Sequence, residues 1–435
     1  MRLLLAVPLV AALLAPLVEI RAEGPLPSAP MNRVSPLLDE VYPGLDALYV
    51  DLHRHPELSG KEERTAAKLA EALRRAGFEV TTGVGRTGVV GILRNGTGPT
   101  VLLRAELDAL PVLEKTGLPY ASESAGVMHA CGHDLHMTLL TATAELLSRT
   151  KDRWRGTVVA IGQPAEETID GARAMIADGL FTRFPKPDFA LALHGRSDLP
   201  AGKVTWVAGY TMSNSDSAEL VIYGKWGHGA RPENAIDPVV IAARTVLALQ
   251  TIISREKDPL EPAVLTVGSI HGGAKHNVIP DEVKLQMTIR CYSPDVRRQL
   301  HAAIARVVKA EAAAAGAPRE PKLTFDEGQD ATYNDPAVTR RIAARLTQEL
   351  GADRVAEGRP DMVSEDFGEF GKVAGIPSVL LRVGTVDPAR FAASRASGAD
   401  LPPLHSSGFV PDRERAIRSG AEVLYFSALE LLGRP

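Results

Sequence analysis

The chain has 435 residues, a hydrophobic fraction of 45% and a formal net charge of −4 at pH 7. This hydrophobic fraction is enough to fill the cores of about two domains of 100–200 residues, which excludes a largely disordered chain. The slightly acidic balance and the absence of a basic run argue against nucleic acid and against an anionic membrane as partners.

The first 22 residues have the layout of a secretory signal peptide. Met1 and Arg2 give a positive start, an apolar run extends from Leu3 to Val18, and Ala22 marks a cleavage point. A membrane anchor is the alternative, but these sixteen residues contain two prolines and fall short of a span of about 20. We expect cleavage, export to the periplasm or the exterior, and no later segment long and apolar enough to cross a bilayer.

Apolar runs then alternate with helical patterns as far as residue 212. After a proline-rich linker at residues 25–30, amphipathic helices are predicted over residues 35–53 and 62–76. Predicted strands follow at GVVGILR, TVLLRAELDAL, TVVAIGQPAEE and DFALALHG, with the helix GARAMIADGL before the last. Short apolar strands separated by helices predict a mixed, mainly parallel α/β sheet that is buried on both faces.

The pattern changes after about residue 210, where SAELVIYGKW alternates like a strand with one solvated face. A helix over residues 238–254, strands PAVLTVGSI and EVKLQMTIR, and an alanine-rich helix over residues 293–315 follow. This order predicts a small α+β, ferredoxin-like domain with an antiparallel sheet. The α/β pattern resumes with IPSVLLRVG, so we predict a catalytic domain of residues 31–212 and 330–435, interrupted by an inserted domain of residues 213–329.

The stretch VMHACGHDLHM, residues 127–137, is the densest group of reactive side chains. Cys131 and His133 are two residues apart and point to the same side in an extended segment, but such a pair alone is weak evidence. Four further candidates follow apolar runs: Glu166, Glu167, His194 and His405. Side chains at the carboxyl ends of strands in an α/β sheet are where this architecture builds sites.

A mixture of thiolate, imidazole and carboxylate suits Zn²⁺, Mn²⁺, Co²⁺ or Ni²⁺ better than Mg²⁺ or Ca²⁺, which prefer oxygen ligands. One of two adjacent glutamates can bind metal while the other takes a proton from water, and the sequence does not decide which. The alternative is a metal-free Cys131 nucleophile activated by His133 or His129. A disulfide between Cys131 and Cys291, the only two cysteines, is disfavoured.

From about Leu37 to the C-terminus the chain resembles a family of metal-dependent amidohydrolases. This family includes aminoacylases, hippurate hydrolases and plant indoleacetyl-amino-acid hydrolases, and it is related to the carboxypeptidase G type. The resemblance rests on DLHRHPELSGKE, RAELDALP, MHACGHD, GQPAEE, LHG, GKWGHGARP, HNVIPDEV, SEDF and LHSSGF. Several long motifs in one order are far more specific than any single pair of ligands.

The resemblance implies a site for two divalent metal ions and hydrolysis of the amide bond of N-acyl amino acids. It implies five metal ligands, with the thiolate of the first bridging the ions: Cys131, His133, Glu167, His194 and His405. Glu166 matches the general base, and Asp108 matches an aspartate that supports the site without binding metal.

The inserted domain matches a lid that also forms a homodimer. Within it, His228 matches a histidine that stabilises the oxyanion, often in the partner subunit's site. Asn277 and Arg290 match positions that contact the substrate, and Arg290 suits a bidentate contact with a free carboxylate. Without the resemblance, a turn asparagine and an exposed strand arginine would be the simpler interpretations of these two residues.

Two positions depart from the family pattern. Glu106 stands where an aspartate is expected, which predicts a modest effect on site geometry, and Glu233 stands where a histidine is common. Glu233 lies in the lid, so this difference affects substrate preference rather than catalysis. The same residues also allow a metallo-dipeptidase or carboxypeptidase that acts on small peptides, and a non-catalytic binder of acylated amino acids is the alternative from another class.

Overall fold

The computed structural model describes residues 34–434 of the chain. The predicted signal peptide of residues 1–22 and the linker of residues 25–30 lie outside the described residues. The helices are α1 Val34–Arg54, α2 Glu63–Arg75, α3 His133–Arg149, α4 Gly171–Ala177, α5 Leu180–Arg183, α6 Pro238–Thr251, α7 Pro294–Ala314, α8 Pro336–Leu350, α9 Gly368–Ala374, α10 Pro388–Ser397 and α11 Arg413–Leu431.

The strands carry most of the sequence runs predicted above. They are β1 Glu79–Val84, β2 Gly88–Asn95, β3 Thr100–Glu106, β4 Gly156–Gln163, β5 Phe189–Pro200, β6 Val204–Trp206, β7 Gly209–Met212, β8 Ser215–Tyr223, β9 Gly227–His228, β10 Ala263–His271, β11 Val278–Ile279, β12 Glu282–Cys291, β13 Lys322–Gln329, β14 Thr332–Asn334, β15 Val355–Glu357 and β16 Ser378–Val386.

Eight strands form the large sheet, in the order β1-β2-β4-β3-β5-β16-β6-β15. The central strands β4, β3, β5 and β16 are parallel to one another, whereas β1 and β2 extend one side of the sheet as antiparallel strands. The prediction of a mixed, mainly parallel sheet is therefore confirmed. The carboxyl ends of these central strands meet at one edge, where this kind of sheet places its ligands.

Helices cover both faces of the large sheet. On β3, Val101 and Leu103 pack into the core beneath α1, α2, α3, α8 and α11. Leu102, which points to the other face, packs into a second core with residues of α4, α5 and α9. Burial on both faces explains why these strands appear in the sequence as continuous apolar runs.

A second sheet of four antiparallel strands lies within residues 215–329, in the order β10-β12-β8-β13. Its elements follow the chain order β8, α6, β10, β12, α7, β13, which is the ferredoxin-like arrangement. Leu249 of α6 and Leu300 of α7 pack on this sheet together with Leu220 and Leu285 from its strands. The predicted fold class is confirmed, and the exact domain boundaries stay a prediction.

One expectation about hydropathy was wrong. By length and composition alone, the stretch Pro238–Glu256 could cross a membrane, although no such segment was expected after the signal peptide. A third of this stretch is buried inside the fold. It is apolar because α6 packs on the small sheet, while Val239, Val240 and Leu247 are exposed on the same helix.

Candidate metal centre

The predicted ligands lie at the carboxyl edge of the large sheet, in the loops before α3, after β4 and before α11, at the start of α3 and on β5. Cys131 lies two residues before His133, the first residue of α3, and Gly132 between them has a φ of 83°. After β4 the chain turns at Ala165, which has a left-handed φ of 51° and donates its backbone N–H to Glu62 Oε1 at 2.8 Å. This conformation is costly for a residue with a side chain, so the surrounding contacts must stabilise it.

The five predicted metal ligands lie together. Cys131 Sγ is 3.6 Å from His194 Nε2 and 3.3 Å from His405 Nε2. Glu167 Oε1 is 3.5 Å from His405 Nε2 and 4.0 Å from His133 Nε2. Two groups of ligand atoms, Cys131–Glu167–His405 and His133–Glu166–Glu167, each lie within 4.8 Å of one another and share Glu167. The side chains thus form one continuous cluster.

Hydrogen bonds fix two imidazoles so that Nε2 is directed into the cluster. His133 Nδ1 donates to the backbone oxygen of Asp108 at 2.8 Å, and His194 Nδ1 donates to the backbone oxygen of Gly195 at 2.8 Å. A histidine that donates one ring N–H in this way presents the lone pair of its other nitrogen to a metal. Burial lowers the pKa of His194 well below its usual value, which keeps this ring neutral.

The unpartnered atoms of the cluster fit a cation. Among the described residues, His133 Nε2, Glu167 Oε1 and Asp108 Oδ1 are buried and have no hydrogen-bond partner. Buried polar atoms without partners are costly and rare. Lone pairs from nitrogen, oxygen and sulfur that meet in one place are the donor set of Zn²⁺ and its neighbours in the first transition row. The cluster can therefore hold divalent metal ions.

Glu166 lies beside the cluster with its carboxylate 3.7 Å from His133 Nε2, measured to Oε2. The residue is buried, and this burial, together with the neighbouring Glu365 carboxylate, raises its pKa well above the usual value. A raised pKa makes this carboxylate a stronger proton acceptor than an ordinary glutamate.

Asp108 supports both ends of the cluster. Its Oδ2 accepts from the Glu167 backbone N–H at 2.9 Å and from Ser59 Oγ at 2.7 Å. Its backbone oxygen accepts from His133, as described above, and its Oδ1 lies 3.3 Å from the same His133 Nδ1. Burial alone would raise the pKa of Asp108, but the adjacent His133 ring and the bonds from Ser59 and the Glu167 backbone outweigh it and lower the pKa.

The departure at Glu106 is accommodated beneath the cluster. The Arg104 guanidinium is buried and binds Glu106, Gln163 Oε1 at 2.7 Å, Glu365 Oε1 at 2.6 Å and Asp366 Oδ1 at 3.0 Å. This cation is fully paired, which a buried charge requires.

The second carboxylate oxygen of Glu106 reaches towards the metal ligands through His136. Glu106 Oε2 accepts from His136 Nδ1 at 2.8 Å, and His136 Nε2 accepts from the Gly195 backbone N–H at 2.8 Å. Gly195 follows His194 in the chain, so this relay holds the strand that carries a predicted ligand. His136 is therefore saturated with hydrogen bonds and is no free ligand, although it lies in a group with His133 and His194.

The cluster opens into a cavity of about 710 Å³ that reaches the small sheet. Arg290 of β12 lines this cavity, and its Nη1 donates to Ser364 Oγ at 2.9 Å. Among the described residues Arg290 has no ion pair with a carboxylate, so its charge is available to a ligand. The volume lies within the range of about 300–1,000 Å³ found for small-molecule sites.

His228 and Asn277 lie outside the cluster. They sit on the two-stranded ribbon of β9 and β11, where His228 pairs with Val278 and the Gly229 N–H donates to the Asn277 backbone oxygen at 2.9 Å. His228 is exposed, and its Nδ1 accepts a local bond from the Ala230 N–H at 3.1 Å. Asn277 Oδ1 is buried without a partner among the described residues.

Glu233, the second departure, is close to this ribbon in sequence and is exposed. Its Oε1 accepts a hydrogen bond from Asn234 Nδ2 at 3.1 Å. Its predicted effect on substrate preference stays a prediction.

Comparison with known proteins identifies the family. Residues 102–401 match the model of peptidase family M20/M25/M40, which is well over half of the chain. The chain belongs to peptidase family M20/M25/M40.

Three relatives and one solved structure show how far this M20 likeness extends. The chain is 36% identical to a thermostable carboxypeptidase of Saccharolobus solfataricus, 38% to an N-acetyl-L-cysteine deacetylase of Bacillus subtilis and 37% to a hippurate hydrolase of Campylobacter jejuni. These matches cover 85%, 88% and 78% of this chain and 91%, 86% and 88% of the relatives. The YxeP protein of Bacillus subtilis, described as a dinuclear metal-binding M20 peptidase, is 28% identical with a TM-score of 0.76, over 91% of this chain and 99% of that one.

Sequence reasoning assigned no role to several buried groups of this M20 chain. His53 Nδ1 lies 2.7 Å from Asp134 Oδ2, and its Nε2 lies 3.3 Å from Glu114 Oε1. These residues stand in or near the quoted motifs, but their partners are far apart in the chain. The sequence does contain one signal of such buried groups, which is a charged residue inside an apolar strand. Arg104 in TVLLRAE and Arg382 in SVLLRVG are examples, because a buried charge needs a partner.

Proposed function

We propose that this chain is a divalent-metal-dependent amidohydrolase that cleaves the amide bond of N-acyl amino acids. One observation carries the proposal. Five predicted metal-ligand side chains, the buried carboxylate of Glu166 and Arg290, which has no ion pair within residues 34–434, lie around one cavity. Relatives named for deacetylation and hippurate hydrolysis, each more than a third identical, support this substrate class.

Cys131, His133, Glu167, His194 and His405 would hold two ions of Zn²⁺, Mn²⁺, Co²⁺ or Ni²⁺. When bound, such ions polarise an amide carbonyl and lower the pKa of a bound water towards about 7. The assignment of two ions is supported by the structural likeness to a dinuclear M20 peptidase and by the two ligand groups that share Glu167.

Glu166 acts as the general base in this proposal. Its carboxylate is buried beside the ligand cluster, and its raised pKa suits it to take a proton from the attacking water. The same side chain then returns the proton to the nitrogen of the leaving amino acid. Asp108 orients His133 and the Glu167 backbone during this cycle through the hydrogen bonds described above.

Arg290 would hold the free carboxylate of the amino-acid part. Its guanidinium faces the cavity from the small sheet, and Ser364 Oγ fixes one end of it. A guanidinium bound by a carboxylate through two parallel hydrogen bonds gives both affinity and orientation. The amide carbon would then lie between Arg290 and the ligand cluster.

His228 would stabilise the oxyanion, which requires it to approach a cluster that it does not touch in this structure. We propose that the chain forms a homodimer in which His228 reaches the partner subunit's site. The other route is closure of the small sheet onto the site of the same chain. Strand β10 is an unpaired edge of the small sheet, and α6 beside it exposes Val239, Val240 and Leu247. An unpaired edge beside apolar side chains suits pairing with a second copy.

Three other functions have less support than this proposal. The thermostable carboxypeptidase among the relatives favours small peptides as the second candidate substrate class, cleaved by the same residues. A metal-free Cys131 nucleophile is disfavoured because burial raises the pKa of its thiol well above the usual value, whereas a nucleophilic cysteine needs a lowered pKa. A non-catalytic binder would not need the general base or all five ligand positions, which are occupied here.

The location of the protein is proposed from residues 1–22 alone. A cleaved signal peptide would export the enzyme to the periplasm or the exterior, where it could release amino acids from acylated nutrients. N-terminal sequencing of the purified protein tests this, with a start after Ala22 expected. An uncleaved chain recovered from the cytosol would contradict export.

The function is tested with a panel of N-acyl amino acids and dipeptides, assayed before and after removal of metal by a chelator. We expect hydrolysis of N-acyl amino acids that is lost on chelation and restored by Mn²⁺, Zn²⁺, Co²⁺ or Ni²⁺. Faster cleavage of dipeptides would favour the carboxypeptidase, and activity that survives chelation but is lost on thiol alkylation would favour the Cys131 nucleophile.

A further inference from the structure

Arg382 is a second arginine in the wall of the metal-centre cavity. It lies in the middle of β16, opposite His194 of the parallel strand β5, so both side chains point to the same face of the large sheet. The residue is only 6% exposed, and it lines the cavity together with Cys131, His194 and Arg290. No motif that carried the family resemblance includes it.

Arg382 has no internal partner for its charge. Within residues 34–434 its guanidinium makes no hydrogen bond and no ion pair, and its Nη2 is buried without a partner. Burial and the positive charge of Arg196 lower its pKa, an effect that the more distant Glu365 and Asp361 carboxylates oppose without cancelling. A buried guanidinium in this state lacks both the counter-charge and the acceptors that buried cations normally have.

Arg104 shows what a paired arginine looks like in the same sheet. It is equally buried, one strand beyond β5, and it contacts Glu106, Glu365 and Asp366. These carboxylates are therefore already engaged and do not neutralise Arg382. The predicted metal ligands beside Arg382 do not supply its counter-charge either, because bound cations would neutralise them.

The remaining charged groups of the cavity are also occupied. Arg196 binds both oxygens of Asp198 at 2.6 Å, and its Nη1 lies 3.7 Å from Asp361 Oδ2. Two guanidinium groups, Arg290 and Arg382, therefore remain without a carboxylate, one on the small sheet and one on the large sheet. Both line the same cavity.

We propose that Arg382 binds a second carboxylate of the substrate, so that the preferred substrates are amides with two carboxylates, one for each free arginine. This inference rests on the proposed amidohydrolase function and narrows its substrate class. The second carboxylate could belong to the acyl group, as in a dicarboxylic acid monoamide, or to the side chain of an acidic amino acid. Arg382 is a specificity-determining residue in this account.

The first test compares matched pairs of substrates on the metal-loaded enzyme. N-succinyl-L-alanine is compared with N-butyryl-L-alanine, and N-acetyl-L-glutamate with N-acetyl-L-glutamine. We expect kcat/KM to favour the doubly charged member of one pair by about 10- to 100-fold, the range that a charge-assisted hydrogen bond provides. The pair that shows the preference tells which part of the substrate carries the second carboxylate.

Substitution then assigns the preference to Arg382. In Arg382→Met the preference should fall to within a few-fold of unity, and Arg382→Lys should keep part of it because the charge remains. Arg340→Met, at an exposed position of α8, is the matched control and should keep the full preference. Equal kcat/KM within both pairs for the wild type, or an unchanged preference in Arg382→Met, would overturn the proposal.

A binding measurement separates this proposal from the proposed function. Titration calorimetry with N-succinyl-L-alanine, N-butyryl-L-alanine and the two N-acetyl compounds needs no turnover. If the protein hydrolyses none of them, the proposed function fails, and tighter binding of a doubly charged compound to wild type than to Arg382→Met still supports Arg382 as an anion site. Equal binding by the two proteins would overturn it.

Stability gives an independent check on the missing partner. Because Arg382 is buried without a counter-ion, Arg382→Met should unfold at the same temperature as the wild type or at a higher one. Arg104→Met, which leaves the buried carboxylates of Glu106, Glu365 and Asp366 without their counter-ion, should unfold at a lower temperature. Equal destabilisation by both substitutions would show that Arg382 has an internal partner and would contradict the proposal.

Discussion

The large sheet and the small sheet contribute to the site in different ways. In the ligand cluster at the large sheet, Cys131, His133 and His194 are buried, and backbone hydrogen bonds orient the two histidines before any ligand arrives. His228 on the small-sheet side is exposed and makes only a local bond to Ala230. The predicted metal ligands His133 and His194 are thus held in place, whereas the proposed oxyanion stabiliser has to be brought in by closure or by a second subunit.

The largest effect is expected from removing the base on the large sheet. Glu166→Gln keeps the shape of the side chain but cannot accept a proton, so kcat should fall by roughly 10²–10⁴-fold, the usual contribution of a general base. Metal content and thermal stability should stay at the wild-type level. Steady-state kinetics with the best N-acyl substrate measures this, with Glu357→Gln at an exposed position of β15 as the control.

A smaller loss of kcat, about 10²–10³-fold, is expected for His228→Ala, as for the loss of one oxyanion donor. Metal content should again be unchanged, because His228 lies outside the cluster. A mixture of Glu166→Gln and His228→Ala subunits sharpens the comparison. Recovery of activity on mixing shows that His228 serves the partner subunit's site, whereas two inactive variants that stay inactive when mixed place its action within one chain.

The smallest effect is expected on the stability of the large-sheet region, through the buried His53 of α1. Burial alone would lower its pKa, but the bonds with Asp134 and Glu114 outweigh this and raise the pKa to about 9. A raised folded-state pKa gives stability that is complete below the unfolded value of about 6.5 and is lost as the pH rises through about 9.

The free energy of unfolding of the wild type should therefore exceed that of His53→Gln most at pH 6. This difference should narrow by about 3 kcal/mol towards pH 10, since one pKa unit corresponds to about 1.4 kcal/mol. Denaturant unfolding at a series of pH values measures the gap. His55→Gln, at a half-exposed neighbouring position, is the control and should show a smaller change. A gap that widens with pH would mean that His53 is neutral in the folded protein.

Apolar patterns in the sequence predicted the long strands of both sheets. A strand buried on both faces is a continuous apolar run, and a strand buried on one face alternates apolar and polar residues. Strands of three residues, such as β6 and β15, are too short to carry a pattern and were not predicted. The order of elements predicted α6 as part of the small domain, but the apolar character of Pro238–Glu256 was underestimated, since a helix that packs on a sheet and a membrane span can share length and composition.

For the site, the motifs named five predicted ligands that the fold brings close together, but pairing between distant residues was not visible in the sequence. Arg104 and Glu365 are 261 residues apart, and only the fold shows that they form an ion pair. The isolation of Arg382 is likewise a property of the three-dimensional surroundings, because the motif SVLLRVG gives no information on which carboxylates lie near it. For His228 the sequence motif predicted a role that the structure of one chain does not display, because this side chain lies away from the ligand cluster.

The central claim is that five side chains on the large sheet bind divalent metal ions, and elemental mass spectrometry of the purified protein tests it most directly. The account predicts about two ions per wild-type chain, as two-metal sites require, and clearly fewer in His194→Ala. His228→Ala should retain the wild-type content. A wild-type protein that hydrolyses N-acyl amino acids without bound metal, or a His194→Ala protein with undiminished metal content, would contradict it.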